Sequence, residues 1–300
     1  MRRIALLACA VVALGAGGCA ARPAGADGDL TNGWTMLAAA KVPEPAAGEC
    51  HDSAGYADYD TSAWEMPGPA APCDGPHQIE VVSVGQVPAE LAKADKRPER
   101  PAFASLYPAC ERAAADYLGG DWQSGSTYLY VQPPTYAQWR GGARFYHCDV
   151  AVIAADNFTV TRYDKPFKDA VRPGGPLALG CANGTGGDQD TLFRAAEPVA
   201  CTAPHDLEFA GSITAPAAAV FPESEKAADA VFGTACDAKL LSYLGMTRAA
   251  YARQRDVSSV WWRTSTKTGW DAGEHSARCY FYVEHRKVSR SVKGNGNATI

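Results

Sequence analysis

The sequence predicts an α+β fold: two tandem small modules, each a mainly antiparallel sheet with one packed helix and a disulfide frame. Three observations predict it. Eight of the ten cysteines fall into two sets of four, Cys50, Cys73, Cys110 and Cys148, then Cys181, Cys201, Cys236 and Cys279, and the outer members are equally far apart in both. The string C-x-x-P-H-x-x-E occurs in each set, as Cys73…Pro76-His77…Glu80 and Cys201…Pro204-His205…Glu208. Each set also carries Tyr-Leu-Gly after its third cysteine (Tyr117–Gly119, Tyr243–Gly245) and closes on W-x-x-G-x5-C (Trp139, Gly142, Cys148; Trp270, Gly273, Cys279). Matches in the same order mark the repetition of one cysteine-framed unit.

The elements follow in order within each unit. Gln78 to Val84 and Leu207 to Ile213 are short β-like runs after a proline turn. A helix comes next. In the first module Pro108 fits a first helical turn, and Ala113, Ala114, Tyr117 and Leu118 keep helical spacing up to Gly119-Gly120. In the second, Glu223 to Leu244 is acidic at its start, carries the stripe Leu240, Leu241, Leu244, and stops at Gly245. Two β-rich runs close each module, Thr127 to Val131 with Arg144 to Ile153, and Val257 to Thr264 with Arg278 to His285. Cys110 and Cys236 fall on the helices and Cys148 and Cys279 on the last strands. A helix-to-sheet bridge is therefore expected for Cys110–Cys148 and Cys236–Cys279, leaving Cys50–Cys73 and Cys181–Cys201, although four cysteines allow three pairings. Each closed loop is worth about 3–4 kcal/mol by chain entropy, which matters where the core is thin.

The expected divisions are a signal peptide (1–18), a lipidated cysteine and flexible tether (19–47), module one (48–153), a linker (154–176), module two (177–287) and a disordered tail (288–300). Arg2-Arg3 is a basic n-region, and Ile4 to Leu14 is an uncharged apolar run too short to span a bilayer as a mature helix. Small residues lead to Cys19, the pattern of a lipobox whose cysteine is acylated. An ordinary cleaved signal ending at Ala24-Gly25-Ala26 is the alternative, and it would release the body. Several acyl chains anchor firmly where one is marginal, at about 0.8 kcal/mol per buried CH2. Disulfides require an oxidising compartment, so the expected location is the outer face of the cell membrane. The chain's net charge of −5 becomes more acidic once the signal's two arginines leave, which disfavours nucleic acid or anionic lipid surface as partner.

The chemistry-bearing residues are few. His77 with Glu80, and His205 with Glu208, could form a general base or hold a metal. The plainer reading is a turn histidine bonded to nearby backbone; an offset of three along one strand puts the pair on opposite faces unless the turn continues past the histidine. The cysteines lack the close C-x2–4-C spacing of zinc modules, so no metal and no cofactor is expected. No nucleophile elbow, H-E-x-x-H or phosphate-cradling loop occurs, and Asn183 to Asp190 lacks the order of a calcium loop. Trp261 and Trp262 are adjacent on a strand and face opposite sides, which makes one of them a candidate interaction surface.

The doubled Cys73…Pro76-His77…Glu80 and Cys201…Pro204-His205…Glu208 strings, with the helix cysteines and the W-x-x-G-x5-C endings, resemble the septum-formation family of exported proteins, found mainly in actinobacteria. The resemblance covers both modules. It implies an envelope protein, often membrane-anchored, without an established enzymatic activity. The insertion Asp52 to Pro72 and the imperfect lipobox depart from it. The expectation is a non-catalytic, lipid-tethered envelope protein whose partner is another envelope protein or wall polymer. The alternative is an extracytoplasmic hydrolase or metal-binding protein using His77 or His205.

Overall fold

A computed structural model describes residues 41–52, 68–154, 159–186, 195–216, 218–263 and 265–300. The expected signal peptide, Cys19 and nearly all of the tether lie outside these residues. Residues 42–300 form one compact unit.

Two five-stranded sheets share one topology. The first comprises β1 (Cys50–His51), β2 (Ala70–Ala71), β3 (Ile79–Gln86), β4 (Thr127–Gln132) and β5 (Phe145–Val152) in the order β2-β1-β3-β5-β4. The second comprises β6 (Cys181–Thr185), β7 (Ala195–Val199), β8 (Leu207–Thr214), β9 (Val257–Arg263) and β10 (Ser276–Val283) in the order β7-β6-β8-β10-β9. All pairings are antiparallel. The central pair in each sheet shifts register at the matching place, between Val81 and Ser83 on β3 and opposite Cys279/Tyr280 on β10. The extra residue of such a bulge re-aims the strand beyond it. The hairpins β1–β2 and β6–β7 are not foreseen from sequence, because such short, alanine-rich runs carry little β signal.

One long helix packs on each sheet. Helix α1 (Ala89–Ala92) is a single turn; α2 (Tyr107–Leu118) carries the first module's apolar stripe. Tyr107, Cys110, Ala114 and Leu118 are buried at helical spacing, and Gly119 ends the helix at φ 73°. After α3 (Tyr136–Arg140), the second module's α4 (Glu225–Leu244) buries Ala228, Phe232, Cys236, Leu240 and Leu244, each four residues after the last. Ser224 caps its start and Gly245, at φ 63°, its end. Burying each large apolar side chain contributes about 1.5–3 kcal/mol. The disulfides Cys110–Cys148 and Cys236–Cys279 tie helix to sheet, and Cys50–Cys73 and Cys181–Cys201 tie the first strand to the turn before the third.

Residues read from sequence as linker and tail are structural parts. From 159 to 176, Val160, Phe167, Ala170 and Val171 are buried in the first core. From 288 to 300, Val288 bridges His205 and Val292 is 1 % exposed in the second core. Their polar composition hides this, because the few apolar residues that anchor them are spaced without any periodicity.

The modules meet through backbone and side chain alike. Arg278 on β10 donates to the carbonyls of Gln123, Gly125 and Thr127 in module one, at 2.8, 2.8 and 2.9 Å. Ser212 donates to Asp121 Oδ2 at 2.6 Å, and Tyr128 donates to Glu274. The chain linking the modules runs alongside the same loop, with Leu179 N–H on the Ser124 carbonyl and Ser126 N–H on the Leu177 carbonyl, both 2.8 Å. After the short helices α5 (Arg248–Tyr251) and α6 (Lys267–Asp271), Gly273, at φ 106°, lies against Tyr107 of α2.

Candidate functional site

The doubled P-H-x-x-E motif builds the same arrangement twice. In each copy proline turns the chain ahead of the sheet's third strand in sequence, so the ring of the next residue faces a carbonyl two positions back. His77 Nδ1 lies 2.7 Å from the Gly75 oxygen, and His205 Nδ1 lies 2.8 Å from the Ala203 oxygen. Both histidines sit on isolated bridges ahead of the strand, His77 to Tyr163 and His205 to Val288. The turn thus continues past the histidine, and the glutamate three residues on returns to the same side. Nε2 to Oε1 is 2.9 Å in both pairs.

Each carboxylate collects further donors. Phe167 N–H reaches both Glu80 oxygens, at 3.0 and 3.1 Å. Tyr117 on α2 also bonds to Glu80. At Glu208, Val292 N–H reaches Oε1 at 2.8 Å, while the hydroxyls of Tyr243 on α4 and Ser291 reach Oε2 at 2.6 and 2.9 Å. A carbonyl oxygen only accepts, so Nδ1 donates to it and Nε2 is left facing the glutamate. Each pair is thus a buried histidine–glutamate contact, with both ring nitrogens facing internal partners. All four side chains are essentially inaccessible. His77 also stacks on Phe167, with ring centroids 4.8 Å apart.

The tyrosines respond to these neighbours. Burial, then the Glu80 carboxylate, push the Tyr117 hydroxyl well above the ordinary phenol range. Burial, then its hydrogen bond to Glu208, do the same to Tyr243. A negative charge beside a phenol opposes its ionisation.

The geometry makes each dyad a clasp. It holds the β3 or β8 strand, the helix, and the segment that follows the last strand. Its carbonyl and carboxyl contacts occupy both ring nitrogens of each histidine. Cys50, Cys73 and Glu80 form one close cluster, and Cys181, His205 and Glu208 another, with donor atoms within 4.8 Å of one another. The sulfurs, however, are joined in disulfides and present no thiolate.

Tyr117, Tyr243, Phe167 and Val292 are members that sequence reasoning misses. The Tyr-Leu-Gly repeat is visible there, but it reads only as a helix end. Trp261 and Trp262 do face opposite sides, and both are half-buried. Trp261 packs on Phe232 and donates to Asp229, while Trp262 lines a cavity at the module seam. The equal spacing between the tryptophan and the last cysteine of each module also has a cause: Trp139 and Trp270 are buried on the short helices α3 and α6, and Gly142 and Gly273 follow at φ 92° and 106°.

Residues 47–279, spanning both sheets, match the family model described as "Septum formation". No curated protein and no solved structure matches the chain.

Proposed function

The chain belongs to the septum-formation family, and from that premise we propose that it is a non-catalytic cell-envelope lipoprotein. Its acylated Cys19 tethers it to the outer face of the membrane. Its two disulfide-stapled modules present surface to an envelope protein or wall polymer during septum assembly. The family ties the chain to septum formation, and four disulfides are the mark of an extracytoplasmic compartment. Among the described residues no helix is long and apolar enough to cross a membrane.

One observation carries the non-catalytic reading. The repeated titratable motif is fully enclosed, and its histidines spend both ring nitrogens on internal partners. A hydrolase or metal site built on His77 or His205 would need at least one of those nitrogens open to a ligand.

Fractionation of cells expressing the wild type and Cys19→Ala tests the tether, and a fluorescent fusion tests the place. The wild type should remain with the envelope and concentrate at division sites, and the variant should appear in the medium. Equal retention of both proteins would refute the tether; even distribution around the cell would refute the septal role.

A further inference from the structure

A cavity of about 110 Å³ lies at the seam between the modules. Its lining includes the apolar side chains Ile153, Pro176, Leu179, Ala182, Pro198 and Trp262 beside polar groups. The one charged side chain in that wall is Arg278, which is 6 % exposed. Three module-one carbonyls take three of its five N–H donors, and Tyr280 is hydrogen-bonded to it as well. No described carboxylate pairs with it. Its guanidinium meets these carbonyl and hydroxyl groups and, at 6.0 Å, the ring of Trp122, with a donor to spare.

The first module shows what this position looks like with an internal carboxyl partner. On β5 the residue before the disulfide cysteine is His147, and it bonds to Asp149 at 2.7 Å. The residue opposite it on the edge strand is Gln132. In the second module the same two places hold Arg278 and Trp262, and the place of Asp149 holds Tyr280. The second module thus lacks the internal carboxylate and has an aromatic wall instead.

We propose that the seam cavity binds a small organic monocarboxylate with a compact apolar body. The carboxylate meets the remaining guanidinium donor of Arg278, and the body lies against Trp262. A pocket that combines apolar side chains with a few placed polar groups is the usual form of a small-ligand site. The planar guanidinium suits a carboxylate. A monoanion fits better than a dianion, because the lining holds a single cation and would leave a second charge unpaired. The volume limits the body to about a single ring or a short branched chain.

Calorimetric titration of the full mature chain with benzoate and isobutyrate tests this, with benzyl alcohol as the neutral counterpart of benzoate. At least one acid should bind saturably at one site per chain. Benzyl alcohol should bind about tenfold or more weakly than benzoate, the loss expected of one charge-assisted hydrogen bond. Arg278→Met should abolish acid binding. Because Arg278 also joins the modules, Ala182→Leu is the companion variant: it fills the cavity, leaves Arg278 in place, and should lose binding while keeping a wild-type melting curve. Absence of binding by both acids, equal binding of benzyl alcohol, or undiminished binding by a folded Ala182→Leu chain would each overturn the proposal.

Discussion

Glu208 accepts the backbone N–H of Val292 at 2.8 Å, so a strand residue holds the closing segment of the chain from 84 positions away. Glu80 does the same for Phe167 in the first module. Removing either carboxyl group leaves a buried histidine without its partner and strands an N–H donor. Glu208→Ala should cost about 3–5 kcal/mol, the size of loss given for removing one partner of a buried salt-bridged, hydrogen-bonded pair. Urea unfolding measures the loss, and amide exchange should show residues 288–300 losing protection first. A loss below about 1 kcal/mol with an unchanged exchange pattern would remove the clasp from the account of this fold.

Gly142 and Gly273 occupy matching positions but differ in surroundings. Both have positive φ, so alanine at either incurs about 1–2 kcal/mol of backbone strain. Nothing lies within 4 Å of a Cβ built at Gly142, whereas at Gly273 it would stand 2.7 Å from Tyr107 Cβ and 3.0 Å from the Ala104 carbonyl. Gly273→Ala must therefore also push the modules apart. Thermal unfolding should show the larger drop for Gly273→Ala; equal drops would mean that the seam yields freely.

Alkaline pH should unfold the protein through its phenols. Tyr117 and Tyr243 have their folded values raised, by burial first and by the glutamates next. A raised folded value means that the neutral form is favoured in the native state. The resulting stability is complete below the unfolded phenol value of about 10 and is lost as pH climbs from there toward the raised folded values. Tyrosinate absorbance and circular dichroism, followed together, should show these phenols ionising late and together with unfolding. Ionisation of every tyrosine near pH ~10 with the fold intact is the contrary result.

The sites differ in how legible they are. His77–Glu80 and His205–Glu208 can be paired from their spacing once the turn is allowed to continue. Their depth cannot be read, because the covering residues Tyr163, Phe167 and Val292 come from segments with the composition of loops. Arg278 reads only as the start of a strand. Its value lies in three carbonyls more than 150 residues away, and no local pattern announces a contact to backbone.

Repeated patterns within one chain determined the module plan, the helix with its flanking strands, and the cysteine frame, because each depends on short-range spacing that the sequence displays twice. Tertiary packing alone decided which polar groups are walled off and how the sister modules join. Those outcomes depend on what covers a residue, and the cover is supplied by distant segments whose few apolar anchors have no period of their own.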